Sequence, residues 1–281
     1  MIGMPDYLGV PPERLGQATP VRVRVGGDMA GLANDMAGVM FEELTRARDA
    51  GRAATLIVPV GPVDQFPILA DRVNREKLSL RDVVLINMDE YLTDDDRWID
   101  AEHPLSFRGF MQRLFYDRVD PGLAPRLENR VFPDPKDPGA IEKLIEKRGG
   151  VDACFGGIGI NGHIAFNEPP EPDQEISNDA FAALPTRCLS LTRETRTINS
   201  VTVGGEISII PHRAITVGMK ECLAARRMRF YCNRPWQAAV VRRVLHGPIT
   251  ARCPASFLRT HADASITVAD YVAAVPNIQL R

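Results

Sequence analysis

The chain has 281 residues, and its 34 Lys and Arg against 36 Asp and Glu give a formal net charge of −2. This balance excludes a strongly basic nucleic-acid-binding protein and an acidic disordered tail. Hydrophobic residues make up 44% and charged residues 25% of the chain, as in ordinary globular proteins. No apolar run approaches the ~20 residues of a membrane helix, so we expect a globular protein with neither nucleic-acid nor membrane partners.

The N-terminus and the cysteines predict the compartment. Residues 1–6 lack the basic and apolar regions of a secretory signal peptide, so we expect the chain to be cytoplasmic. The five cysteines are scattered and form no Cys-x-x-Cys pair. An odd, scattered count in a chain of this length indicates reduced, buried thiols and not a disulfide framework.

The apolar pattern predicts strands that alternate with helices. Val21–Val25 alternates apolar and polar residues as a strand does, Asp28 is a candidate N-cap for a helix at 29–50, and the apolar run 55–60 predicts a buried strand. The later predicted elements are helices at 65–76, 137–147, 192–200, 219–225 and 236–246, and strands at 83–86, 151–155, 213–217, 229–232 and 265–268. Such alternation predicts an α/β fold with a mainly parallel sheet and helices on both faces. We expect one domain over 1–281, with 1–20 as an extended N-terminal segment.

Ligand sites in parallel sheets lie at the carboxyl ends of the strands, so the residues after each apolar run are candidate site residues. Three such segments stand out, at 61–64, 87–91 and 156–169. In the second, Asp89 and Glu90 directly follow a buried strand. Carboxylates there either cap the next helix or, when partly desolvated, act as a general base. The residues alone leave both interpretations open.

The third segment combines glycines with a histidine and a carboxylate. Gly156, Gly157, Gly159 and Gly162 permit close backbone approach, and His163 lies among them. Imidazole shuttles protons near neutral pH, and Glu168, five residues later, is placed to orient it and stabilise its cation. The segment is neither a dinucleotide fingerprint nor a Walker loop, and His163 has no partners at zinc-ligand spacing.

Two segments, 87–91 and 156–169, resemble the signature segments of the glucosamine-6-phosphate deaminase (isomerase) family. Weaker matches at 102–104, 195–200 and 216–218 extend the resemblance over roughly residues 20 to 270. It implies a Rossmann-like α/β fold, shared with 6-phosphogluconolactonases, and a sugar substrate. The implied reaction uses no metal or redox cofactor: ring opening of an amino sugar, aldose-to-ketose isomerisation and release of ammonia.

The resemblance also implies residue roles. His163, positioned by Glu168, opens the ring, Asp89 removes the proton beside the carbonyl, and Asn161 completes the catalytic group. Further substrate contacts are expected from Gly61, Glu90, Gly159, Gly162, Asn167 and Arg196. The resemblance leaves the oligomeric state open, and homo-oligomers are compatible with it. Arg187 matches a position that binds an allosteric phosphosugar in some members, but its neighbours differ and we do not carry that regulation over.

This chain departs from the family pattern in two places. Asn161 stands where the family has an aspartate, which removes a charge beside His163. The phosphate-binding elements also differ: the loop 60–64 contains Pro62, which has no amide hydrogen, and the acidic Asp64. The family's phosphate-binding arginine and lysine correspond to Val201 and Gln237.

The departures favour an enzyme of this family whose substrate lacks the usual phosphate. Three alternatives remain: an orthodox deaminase that holds phosphate through Arg193, Arg196 or Arg234, a non-catalytic sugar-binding regulator, and a lactonase. The retained Asp89 and His163 argue against the regulator, and the segment 87–91 favours the deaminase branch over the lactonase.

Overall fold

The computed structural model describes residues 3–61 and 64–279. Its strands are β1 (Arg22–Val25), β2 (Thr55–Val58), β3 (Val84–Asn87), β4 (Asp89–Leu92), β5 (Arg130–Val131), β6 (Ala153–Gly156), β7 (Arg187–Ser190), β8 (Arg213–Thr216), β9 (Met228–Cys232) and β10 (Ala264–Val268). The central sheet has the order β1-β10-β9-β6-β2-β3-β5, and its neighbouring strands all run parallel. The predicted mainly parallel α/β sheet is confirmed.

A helix follows most of these strands along the chain. The helices are α1 (Met29–Asp49), α2 (Gln65–Glu76), α3 (Phe107–Met111), α4 (Ala140–Lys147), α5 (Asn178–Ala182), α6 (Arg193–Ser200), α7 (Met219–Leu223), α8 (Gln237–His246) and α9 (Asp270–Ala273). The predicted cap of α1 is observed, since the Asp28 side chain accepts a hydrogen bond from the Gly31 amide. β2, β3 and β6 are buried at every position, as strands covered on both faces are.

A second, antiparallel sheet has the order β4-β8-β7 and was not predicted. The apolar run at 213–217 is a strand, but it pairs in this small sheet and not in the parallel one. β4 was missed because it follows β3 after the single residue Met88 and begins with two acidic side chains, which mask its burial. The helix predicted at 137–147 begins three residues later, at Ala140.

The N-terminal segment contains two short 3₁₀ helices, Asp6–Gly9 and Pro12–Arg14. It is held by Arg242 of α8, which is fully buried and donates hydrogen bonds to the carbonyls of Val10 and Ala273. One side chain thus joins the first and last segments of the chain. Among the described residues, no helix is long and apolar enough to cross a membrane.

Candidate functional site

The loop that follows β6 is shaped by two glycines. The Gly159 amide donates to the His163 carbonyl at 3.0 Å, and the Gly162 amide donates to the Gly159 carbonyl at 2.9 Å. A Cβ on Gly159 would lie 2.1 Å from His163 Nε2, so the imidazole lies against the Gly159 backbone. Gly162 has a φ of +92°, and a Cβ there would meet Cys253 Sγ at 2.6 Å. These glycines make room for protein side chains, His163 above all.

Asn161, His163 and Glu168 form one hydrogen-bonded group. His163 Nδ1 lies 3.2 Å from Glu168 Oε2, and Asn161 Nδ2 donates to the same oxygen at 2.7 Å. Asn161 Oδ1 accepts from the His163 amide at 3.2 Å, which fixes the orientation of the carboxamide. Because Glu168 occupies Nδ1, the other imidazole nitrogen, Nε2, is the one that can act on a ligand.

Two threonines at the start of α6 complete this group, and neither was predicted from the sequence to belong to it. The Thr192 amide donates to Glu168 Oε1 at 3.3 Å, and Thr195 Oγ1 lies 3.3 Å from His163 Nδ1. Thr192 is also the N-cap of α6 and accepts from the Thr195 amide. The sequence feature that indicates these two threonines is the capping pattern Thr-x-x-Thr at the predicted start of a helix.

The Glu168 carboxyl is strongly biased toward its charged form. Burial alone raises the pKa of Glu168, but hydrogen bonds from His163, Asn161 and Thr195, with the charge of His163, outweigh it and hold that pKa at about 2. The carboxylate is therefore ionised at any physiological pH and stabilises a positive charge on His163.

The pKa of Asp89 is shifted in the opposite direction. Asp89 is the first residue of β4, is 8% exposed, and pairs across the small sheet with Thr216. No described residue donates a hydrogen bond to its carboxyl oxygens. Burial, followed by the charge of Glu90, raises the pKa of Asp89 to about 8. This environment fits a general base and not a helix cap.

A short hydrogen-bonded path joins Asp89 to the loop that carries Glu168. Thr216, opposite Asp89, accepts from the Phe166 amide at 3.0 Å through Oγ1. Val217 donates to the carbonyl of Met88, the residue before Asp89, at 2.7 Å. Thr216, the last residue of β8, and Val217, which follows it, therefore connect the backbone before Asp89 with the backbone before Glu168.

Three predicted substrate contacts have their polar groups bound to protein. Glu90 is fully buried and accepts from the Ser106 hydroxyl and from the amides at the start of α3. Asn167, also fully buried, donates to the carbonyls of Ile164 and Val217. Arg196 donates to the carbonyls of Ile207 and Ile210. These side chains stabilise the loops around the site.

Gly61, the substrate contact predicted at the end of β2, has different surroundings. Gly61 is half-buried, and a Cβ there would have no neighbour within 4 Å, so it borders open space. Asp64, the N-cap residue of α2, is exposed. The predicted loss of an amide donor at Pro62 lies outside the described residues.

The family resemblance predicted that Val201 and Gln237 replace two phosphate-binding cations, and the structure describes the surroundings of both side chains. Val201 is 67% exposed. Gln237 is 3% exposed, and its carboxamide accepts from the Arg234 amide at 2.7 Å and donates to the Ile158 carbonyl at 2.8 Å. Through these two hydrogen bonds, Gln237 connects the loop after β9 with the loop after β6. Within the described ranges, no group of three or more His, Cys, Asp or Glu side chains is arranged to hold a metal ion.

Comparison with known proteins identifies relatives over most of the chain. A glucosamine-6-phosphate deaminase of Serratia proteamaculans is 33% identical over 221 residues, which cover 77% of this chain and 78% of that protein. A second, of Porphyromonas gingivalis, is 30% identical over 262 residues and covers 91% and 93% of the two chains. No family model matches the chain.

Solved structures share the fold. A monomeric glucosamine-6-phosphate deaminase superposes with a TM-score of 0.77 at 23% identity and covers 91% of this chain and all of its own (100%). A 6-phosphogluconolactonase from Trypanosoma cruzi superposes with a TM-score of 0.65 at 13% identity, with coverage of 90% and 96%.

The Asn161–Glu168 contact predicts the effect of restoring the family's aspartate. In Asn161→Asp, a carboxylate oxygen replaces Nδ2 at 2.7 Å from Glu168 Oε2, and two anions this close cannot both stay ionised without rearranging. We expect Glu168 to titrate at higher pH in the variant, measured by carboxyl ¹³C NMR. Asn161→Ala is the control, because it removes the donor without adding charge. An unchanged Glu168 titration in Asn161→Asp would show that the carboxylates move apart.

The raised pKa of Asp89 predicts a pH-dependent loss of stability. A buried carboxyl that ionises near pH 8 in the folded state, but near pH 4 when unfolded, favours the fold fully below pH 4 and loses this contribution as the pH rises toward 8. Asp89→Asn should therefore match wild type at pH 4 and exceed it at pH 8 by on the order of 5 kcal/mol in the free energy of unfolding, at about 1.4 kcal/mol for each of about four pH units. Urea unfolding at both pH values measures this, and equal stabilities at pH 8 would contradict the assignment.

Proposed function

Because the chain belongs to the glucosamine-6-phosphate deaminase family, we propose that it opens the ring of an amino sugar, isomerises the aldose to a ketose and releases ammonia. The observation that carries the proposal is the pair of carboxyl groups with opposite environments. Burial raises the pKa of Asp89 to about 8, whereas hydrogen bonds from His163, Asn161 and Thr195 overcome burial and lower that of Glu168 to about 2. Such opposite environments support a role in proton transfer for one carboxyl and a role as a fixed charge for the other.

Ring opening uses His163. Its Nε2 takes the proton of the anomeric hydroxyl and returns a proton to the ring oxygen as the C1–O5 bond breaks, which leaves the open-chain aldehyde. The imidazolium formed in between is paired with Glu168, whose Oε2 lies 3.2 Å from Nδ1. Thr192 and Asn161 hold that carboxylate in place through its two oxygens.

Isomerisation and deamination use Asp89. Its ionised carboxylate removes the C2 proton, and the C1 oxygen takes a proton from the 2-ammonium group, which gives an enolamine. The resulting carboxylic acid then delivers the proton from C2 to C1. The ketimine at C2 then adds water and loses ammonia, so amino sugar and water give ketose and ammonia. A base with a pKa of about 8 both accepts and returns a proton near neutral pH.

The far end of the sugar, we further propose, is bound without the family's phosphate contacts. Gln237 is neutral and uses its carboxamide within the protein, Val201 is apolar and exposed, and the exposed Asp64 adds negative charge. Arg196, which could have compensated, directs its guanidinium to backbone carbonyls. A neutral terminal hydroxyl fits these residues better than a phosphate dianion.

One observation supports the orthodox substrate as a second candidate. Arg234 is exposed at the carboxyl end of β9, and its guanidinium makes no hydrogen bond or ion pair to any described residue. It adjoins Gln237 through its backbone amide. An arginine so placed is able to bind a phosphate, and glucosamine 6-phosphate would then be the substrate.

The ionisation of Asp89 predicts the pH profile of the C2 proton transfer. With C2-deuterated amino sugar, the isotope-sensitive rate should rise by about tenfold per pH unit up to pH 8 and then level off, because only the carboxylate is a base. Glu168 stays ionised over this range and adds no inflection. Asp89→Asn should show no exchange at C2. A rate that is flat from pH 6 to 8, or exchange in the variant, would exclude Asp89 as the base.

Calorimetry with paired ligands tests the substrate. Each missing charge-assisted contact removes ~1.5–3 kcal/mol, so the loss of two weakens phosphate binding by at least about a hundredfold. Glucosamine 6-phosphate should therefore bind no better than glucosamine. The double variant Val201→Arg, Gln237→Lys should gain affinity for the phosphorylated sugar alone. Micromolar wild-type binding that Arg234→Ala abolishes would establish the orthodox substrate instead.

A further inference from the structure

We propose that Arg187 is a positioning residue that fixes Glu168 and Asp89 relative to each other through Asn167. The proposal rests on the proposed function for its catalytic consequence, but its structural content is independent of the substrate. The observation behind it is a contact at the start of β7, the edge strand of the small sheet opposite β4.

The contact joins Arg187 to the residue that precedes Glu168. Arg187 Nη1 donates to Asn167 Oδ1 at 2.7 Å. Asn167 is fully buried, and its Nδ2 donates to the carbonyls of Ile164 at 3.0 Å and Val217 at 2.8 Å. Because Oδ1 is engaged by Arg187, the carboxamide cannot rotate without losing all three bonds, and the backbone leading into Glu168 is held.

The hydrogen bonds of Asn167 also connect Arg187 with the backbone that precedes Asp89. Val217, which accepts from Asn167, donates through its amide to the Met88 carbonyl at 2.7 Å. Asp89 and Arg187 are moreover the two partners of Thr216 in the small sheet, one on each side. One row of that sheet therefore carries the general base, the threonine that holds Phe166 and the arginine that holds Asn167.

The Arg187 side chain is half-buried and lies in the field of the Glu221 carboxylate. Burial lowers the pKa of Arg187, and the charge of Glu221 opposes that effect. Glu221 is itself buried and accepts from the Thr186 amide at 3.2 Å. A lysine at 187 keeps the positive charge but offers no planar fork with several fixed donors, so charge and geometry can be separated by mutation.

Imidazole ¹⁵N NMR tests the positioning without any substrate. Of the five histidines, His163 is assigned by its absence in His163→Gln, and its Nδ1 resonance reports the bond to Glu168. Arg187→Ala should shift that resonance, and added guanidinium should restore it. The control is Arg213→Ala on the neighbouring strand β8, which removes an arginine paired with Asp96 and should leave the resonance unchanged.

Steady-state kinetics tests the catalytic consequence. Displacement of a catalytic group by about 1 Å reduces turnover by about a hundredfold, so Arg187→Ala should lower kcat far more than it raises KM. Guanidinium should rescue it, Arg187→Lys should be intermediate, and Arg213→Ala should equal wild type. An unshifted His163 resonance, or a shift shared by Arg213→Ala, overturns the positioning role. If the resonance behaves as expected but wild type converts no amino sugar, the proposed function fails and the positioning of Glu168 stands.

Discussion

The burial of one carboxyl group, that of Asp89, is the constraint on which the site depends. β4 leaves the parallel sheet after the single residue Met88, whose amide donates to the Val58 carbonyl and whose carbonyl accepts from the Val217 amide. Met88 thus joins the two sheets, and Asp89 emerges at their junction, 8% exposed. A carboxyl in that place resists ionisation, because none of the described residues donates a hydrogen bond in place of the water it has lost.

Glu168 shows what the same degree of burial does when donors are present. It is 9% exposed, close to Asp89, yet it accepts from Asn161, His163 and the N-terminal backbone of α6. Charge-assisted hydrogen bonds of this kind outweigh desolvation. The two carboxyl groups have nearly equal solvent exposure but different hydrogen-bond donors, and under the proposed function this difference supplies a base and a fixed anion.

The sequence predicted the parallel sheet well because its strands are continuous apolar runs between amphipathic helices, as at 55–60 and 83–86. The pairing of His163 with Glu168 also followed from spacing, and the family resemblance added Asn161; one loop carries all three. The small sheet was not predicted, because β4 and β7 are rich in polar side chains.

The functions of individual polar side chains were harder to predict. Glu90 is next to Asp89 in sequence, but alternation along a strand points neighbouring side chains to opposite faces, and Glu90 binds the start of α3, seventeen and eighteen residues on. Thr195 acts on His163 from 32 residues away. Such long-range partners are set by tertiary packing, which spacing along the chain does not encode.

The central claim, that burial keeps Asp89 protonated while donors keep Glu168 ionised, is tested most directly by carboxyl ¹³C NMR of the wild-type protein. With each carboxyl assigned by its amide variant, the resonance of Asp89 should titrate near pH 8, where burial places its pKa, and that of Glu168 should stay in its ionised position down to the lowest pH at which the fold survives. An Asp89 resonance that titrates near pH 4, together with Glu168, would contradict the account.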